Sequence, residues 1–148
     1  MDIIEPTTAE DFRQYYALRW KILRAPWGQP PGSERDPQDA DSMHLMLVDP
    51  KHVAVGVGRV HFNSIREAQI RYMAIDVSAQ RRGLGSRLLA ALETRASELG
   101  AARVVLDARE TALRFYHKHG YEAVGPGPML YNSIAHVKMR KDLQASTA

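Results

Sequence analysis

Residues 80–100 read QRRGLGSRLLAALETRASELG, with two glycines and two arginines in the first six positions and a helical pattern directly behind them. Leu84, Leu88, Leu92 and Leu99 recur along one side of the predicted helix with Ala96 beside them. Arg87, Glu93, Thr94, Ser97 and Glu98 fill the other side. Gly100 stands where a helix C-cap belongs. Gly83 and Gly85 let the backbone turn sharply and let a ligand come close to it. The first amides of a helix have no intrahelical acceptor, and the helix dipole favours an anion beside them. A pyrophosphate meets both conditions. Arg81 and Arg82 add charge-assisted bonds, and Ser86 adds a hydroxyl. A plain turn is the competing reading of the same residues. Neither the G-x-x-x-x-G-K-S/T spacing of the P-loop nor the G-x-G-x-x-G dinucleotide fingerprint is present. Gly56 and Gly58 form a G-x-G inside a strand pattern, which reads as close packing.

Upstream, AQIRYMAID (68–76) alternates and then turns apolar, which predicts a strand half exposed at its start and buried at its end. MHLMLVD (43–49) and HVAVGVGRVHFNS (52–64) read as strands joined by a turn at Asp49, Pro50 and Lys51, hence antiparallel neighbours. DIIEP (2–6) is a short strand. Thr7 and Glu10 have capping-box spacing and open a helix that puts Phe12, Tyr15, Tyr16, Ile22 and Leu23 on one face. Residues 24–42 are rich in Pro, Gly and acid and predict a long loop of the kind that carries function. Downstream, ARVVLDA (102–108) reads as a buried strand, ETALRFYHKHG (110–120) as a helix closed by glycine, and YEAVG (121–125) and AHVKMRKDL (135–143) as the last strands. The fold class is α/β (α+β): a mixed, mostly antiparallel sheet flanked by helices on both faces.

The chain has 148 residues, 45% hydrophobic and 25% charged, which suits one globular domain spanning 1–148. It has no cysteine, so thiolate nucleophiles, disulfides and Cys-based zinc sites are excluded. No apolar run approaches the roughly 20 residues of a membrane span. The N-terminus, MDIIEPTTAEDF, is acidic and lacks a signal-peptide core, so the expected location is cytoplasmic, with no membrane partner. The net charge is +3, and the basic residues are scattered rather than run together, so no nucleic-acid partner is expected.

The stretch AIDVSAQRRGLGSRLLAALE resembles the acetyl-CoA-binding motif of the GNAT superfamily, Q/R-x-x-G-x-G/A between a strand and a helix, with Gln80, Gly83 and Gly85 at the matching positions. DARETALRFYHKHGYEAVG resembles the second signature of that family, and NSIAHVKMRKDL is similar to the C-terminal strand of its ElaA-like branch. The resemblance implies a GNAT-like fold. It also implies an N-acetyltransferase that moves the acetyl group of acetyl-CoA, its cosubstrate, to a primary amine by direct attack in a ternary complex. The backbone at Arg81, Arg82, Gly83, Leu84, Gly85 and Ser86 would hold the pyrophosphate. Met73, Ala74 and Ile75 would pair with the pantetheine arm, and an amide near Ile75 would polarise the thioester carbonyl. Tyr116 occupies the position of the general acid, and a phenol with a pKa near ~10 can protonate a leaving thiolate. The other reading of Tyr116 is a core aromatic beside Phe115. Glu110 stands where the family often has a cofactor-contacting asparagine.

Asp76, His61, Glu34 and His136 are the candidate bases, each with a purely structural alternative. In the long loop, Trp27 offers an apolar wall, and Glu34, Asp36, Asp39 and Asp41 offer attraction for a cationic amine. His117 and His119 do not share a helix face, so no metal is expected. The expected partner is a small-molecule or peptide amine, with a homodimer as the family's habit. A non-catalytic acyl-CoA-binding or partner-binding module of the same fold is the alternative.

Overall fold

The computed structural model describes residues 1–143. Its seven strands are β1 (Asp2–Ile4), β2 (Met43–Val48), β3 (Ala54–Phe62), β4 (Glu67–Ile75), β5 (Arg103–Arg109), β6 (Glu122–Leu130) and β7 (Ile134–Asp142). The helices are α1 (Ala9–Leu23), α2 (Leu84–Glu98) and α3 (Leu113–Lys118). The strands form one sheet in the order β1-β2-β3-β4-β5-β7-β6. Every neighbouring pair is antiparallel except β4 and β5.

The first helix begins one residue later than its sequence suggests. Thr8 accepts the Asp11 amide at 3.0 Å, and the Asp11 carboxylate returns to the Thr8 amide at 3.3 Å. The frame Thr8–Asp11 prevails over Thr7–Glu10 because Asp11 also takes a bond from the Thr7 amide and meets His52 Nε2 at 2.8 Å. Glu10 faces solvent and pairs with Arg13 instead.

Alternation along β2 divides the core. Met46 and Val48 pack with Tyr15 and Leu18 of α1 on one face, whereas Leu45 packs with Leu88, Leu89 and Leu92 of α2 on the other. Full burial of each α2 leucine is worth about 1.5–3 kcal/mol. Leu99, expected on the same stripe, is 55% exposed, because α2 ends at Glu98 and Leu99 is its cap. Leu89, outside the predicted stripe, is buried in the core. The glycines of β3 let α2 come close: a Cβ at Gly58 would lie 2.6 Å from Leu92 Cδ1, and Leu92 is fully buried. Gly58→Ala should therefore destabilise the fold by about 1–3 kcal/mol in urea unfolding.

The last hairpin is longer than expected. β6 runs to Leu130, well past Gly125, because an edge strand tolerates the prolines at 126 and 128. Residues 24–42 hold two short 3₁₀ turns, Ala25–Trp27 and Pro37–Asp41, the second with its own Asp36–Asp39 capping box.

Candidate active site

The site begins with a failure of pairing. β4 and β5 run parallel, but only Glu67–Gln69 of β4 meet Arg103–Val105 of β5; beyond that the strands part. A bulge drives the split. Between Val57 and Arg59 of β3 the partner strand carries one extra residue, and Tyr72 within it has φ 54°. A non-glycine residue there costs roughly 1–2 kcal/mol. At the end of β4 Ala74 is buried, as the sequence suggests, but Met73 and Ile75 are only half-buried and line a cleft of about 320 Å³ with the end of β5, α3 and the β6–β7 hairpin.

The unpaired edge of β4 carries backbone groups into this space. The Asp76 amide donates back to Val55 O on β3 at 2.8 Å, so the Ile75 groups point the other way by strand alternation. Gln80 Nε2 bonds the Ile75 carbonyl there at 3.0 Å. Met73, Ala74 and Ile75 all line the cleft.

The glycine turn follows directly. Asp76 caps a 3₁₀ turn, Val77–Ala79, by accepting the Ser78 amide. Arg81 then adopts φ 65° and Gly83 φ 74° before α2 starts. Arg81, Arg82 and Gly83 are exposed, and Leu84 is buried by its side chain. A Cβ at Gly83 would meet nothing within 4 Å, so the positive φ, not crowding, calls for glycine there. A Cβ at Gly85 would make ordinary contacts with Phe115 and Ile75 at 3.5 and 3.8 Å. The chain itself does not demand a glycine at 85. The α2 amides of Leu84, Gly85 and Ser86 face the turn without intrahelical acceptors. Ser86 Oγ lies 2.9 Å from His119 Nε2, so its hydroxyl also ties α2 to the residue after α3.

Tyr116 stands among aromatic rings at the wall of the cleft. Its ring packs edge-on against Phe115 and Tyr121 with centroids 5.1 and 5.7 Å away, while the residue lines the cleft. The hydroxyl donates to Met73 Sδ at 3.9 Å, a weak acceptor. Burial pushes its pKa up to about 12.

A family model described as an acetyltransferase (GNAT) domain matches residues 32–143. The chain belongs to the GNAT acetyltransferase family. The uncharacterized N-acetyltransferase YjcF of Bacillus subtilis is 27% identical over 133 residues, 90% of this chain and 94% of its own. The crystal structure of Escherichia coli ElaA superposes with a TM-score of 0.81 at 14% identity, covering 95% of this chain and 99% of ElaA. An acyl-CoA N-acyltransferase from Pseudomonas aeruginosa gives the same TM-score at 22% identity, covering 95% and 98%. These two likenesses show the GNAT fold. Family membership makes the chain an acyl-CoA-dependent acetyltransferase.

The GNAT cleft sorts the candidate bases. Asp76 is held by the Ser78 hydroxyl and by Lys21 at 2.9 Å, which keep its carboxyl below the usual range. His61 Nδ1 lies 3.0 Å from Arg59 Nη2, and since arginine only donates, that nitrogen is the acceptor. Burial and Arg59 also push the His61 pKa down. Glu34 is buried and accepts the Gly32 amide at 2.8 Å. His136 alone of the four lines the cleft. Its Nδ1 lies 3.0 and 3.1 Å from the Pro128 and Ile134 carbonyls, so Nδ1 carries a hydrogen, and a neutral ring in this tautomer has its lone pair on Nε2.

The acidic loop does different work from that expected. Arg19 and Arg59 are fully buried, and both donate to Asp39 Oδ1 at 2.9 Å. Arg59 also reaches Asp36 at 2.6 Å, and the Tyr72 hydroxyl donates to Asp36 at 3.0 Å. The Arg19 guanidinium lies 4.2 Å from the Tyr72 ring centre. Asp36 and Asp39 therefore hold the strained bulge rather than a cationic acceptor. Trp27 is 39% exposed and lies outside the cleft lining, as does Glu110, the first residue of a 3₁₀ turn. A larger hollow of about 860 Å³, beside Phe12, Tyr16 and His61, holds neither Tyr116 nor any residue of the glycine turn. Sequence reading missed Tyr72, Arg24 and Arg109. An arginine directly after the predicted strand ARVVLDA was the one available signal, for Arg109.

Proposed function

We propose that the protein transfers the acetyl group of acetyl-CoA to a primary amine by direct attack, with both substrates bound together in the cleft. Acetyl-CoA supplies an activated thioester. The positive-φ turn at Arg81 and Gly83, with the α2 amides behind it, fits the pyrophosphate. The free edge of β4 at Met73–Ile75 fits an extended pantetheine arm, and the Ile75 amide stabilises negative charge on the carbonyl oxygen. His136 Nε2 takes a proton from the amine as the C–N bond forms. Tyr116 Oη gives its proton to the sulfur as the C–S bond breaks. The two protonation states are restored through solvent. The observation that carries this reading is Tyr116 in the lining of the cleft, its hydroxyl bonded only to the weak acceptor Met73 Sδ among the described residues.

Calorimetric titration with acetyl-CoA, free CoA and ADP tests the cradle. All three should bind. Gly83→Glu should weaken each at least ~10-fold, since it places a carboxylate at the anion site and an L-residue at φ 74°. An amine panel with thiol-release detection then follows turnover. If no CoA species binds, the glycines make only a turn and the reading fails.

A further inference from the structure

The geometry points to an acceptor that carries an acidic group beside its amine, with Arg24 and Arg109 as the subsite for that group. This rests on the acetyltransferase reading above.

The molecule treats its buried arginines in two ways. Arg19 and Arg59 each have a carboxylate within 3 Å. Arg24 is only 8% exposed and has none within ion-pair distance among the described residues. Its Nε donates to Ser33 O at 3.2 Å and its Nη1 to Leu23 O at 3.1 Å, which leaves Nη2 without a protein acceptor among the described residues. Arg109, the half-buried last residue of β5, makes neither an ion pair nor a side-chain hydrogen bond among the described residues. Both line the cleft. They sit close enough that Arg24 adds to the effect of burial in pushing the Arg109 pKa down, and Tyr131 of the β6–β7 turn is near as well.

A buried cation is costly without a counterion. Arg24, whose guanidinium lies 5.5 Å from the Tyr72 ring centre, and the half-buried Arg109 share the cleft without a carboxylate partner among the described residues, and an anion placed there would relieve both. The guanidinium fork matches the two oxygens of a carboxylate or of a phosphate. The pyrophosphate of the cosubstrate has its own cradle at the α2 N-terminus. Arg24 follows α1, and Arg109 pairs across the sheet with His136, the proposed base. The anion subsite is thus next to the residue that receives the amine's proton. Asp107, on the same face of β5, is the one acidic residue in the cleft lining among the described residues, set against Arg24, Arg71 and Arg109. A cleft of about 320 Å³ that also takes the thioester end leaves room for a small molecule of amino-acid size.

Matched acceptor pairs test this: leucine against leucinamide, phenylalanine against its amide, and O-phosphoethanolamine against ethanolamine. Binding to the CoA complex is followed by calorimetry, and turnover with acetyl-CoA by thiol release. The acidic member of at least one pair should be preferred about 100-fold in kcat/KM. The amides are the less basic amines, so amine basicity alone favours the opposite result. The amino-acid pairs report a carboxylate and the ethanolamine pair a phosphate. Arg109→Gln should bring the preferred ratio close to 1 while acetyl-CoA affinity is kept, which separates the subsite from a folding defect. Equal use of both members, a ratio that survives Arg109→Gln, or failure of every acidic amine to bind overturns the subsite and leaves acetyl transfer standing. Absence of acetyl-CoA binding overturns the acetyltransferase reading itself and this inference with it.

Discussion

Tyr116→Phe lowers kcat by about 10²–10⁴-fold, the usual contribution of a positioned general acid, and leaves acetyl-CoA affinity unchanged within error. Phenylalanine keeps the packing against Phe115 and Tyr121, and the hydrogen bond lost is the weak one to Met73 Sδ. A structural role for the hydroxyl would therefore cost little stability and no turnover. The pH profile adds a second readout. Burial raises the Tyr116 pKa to about 12, so the proton is present throughout the neutral range. An alkaline loss due to Tyr116 belongs near pH 12 and not near the ~10 of a free phenol. The same dry surroundings destabilise a departing thiolate, so burial raises the affinity of both partners for the proton together. Turnover of Tyr116→Phe equal to that of the parent at every pH would remove the acid from the mechanism.

The helix behind the glycine turn is readable because its leucines repeat at helical spacing and glycine closes it. That regularity, with apolar strands on either side, suffices for the order of elements and for the position of the cradle. The site itself depends on departures from regularity. Nothing in RYM announces that Tyr72 takes a positive φ, since the bulge is stabilised by residues far away in sequence, Arg19, Asp36 and Arg59. A strand period continued through 68–76 predicts a buried end. The extra residue turns part of that end into one wall of the cleft instead. The extent of β6 is hidden for a related reason: its prolines are compatible with an edge strand but not a central one, and only the sheet order distinguishes the two. Asp36 and Asp39 looked like an attraction for cations because their buried arginine partners, Arg19 and Arg59, lie far away in sequence on α1 and β3.

Asp39→Asn tests that last point and should cost about 3–5 kcal/mol in urea unfolding, as expected when one member of a buried ion cluster loses its charge. Asp39 Oδ1 is shared by two fully buried guanidinium groups, so the substitution leaves both facing a neutral amide, with Asp36 as the remaining carboxylate. For a domain whose total stability is about 5–15 kcal/mol, this is a large share. Asp41→Asn, on an exposed loop residue, should stay within about 0.5 kcal/mol of the parent. The cluster also predicts acid sensitivity. Burial disfavours the Asp36 anion, but the bond and charge of Arg59, the Tyr72 hydroxyl and the Gln38 amide outweigh it and hold the pKa at about 2. A carboxyl depressed in the folded state contributes stability above its unfolded pKa of ~3.9, and that contribution disappears as pH falls through about 2. The urea midpoint should therefore fall between about pH 4 and 2. Because the cluster grips Tyr72, Asp39→Asn should also relax the bulge and weaken acetyl-CoA binding, while Asp41→Asn does not. If both variants kept full stability and raised KM for the amine alike, the loop would be an electrostatic lure for the acceptor. The bulge would then need another explanation.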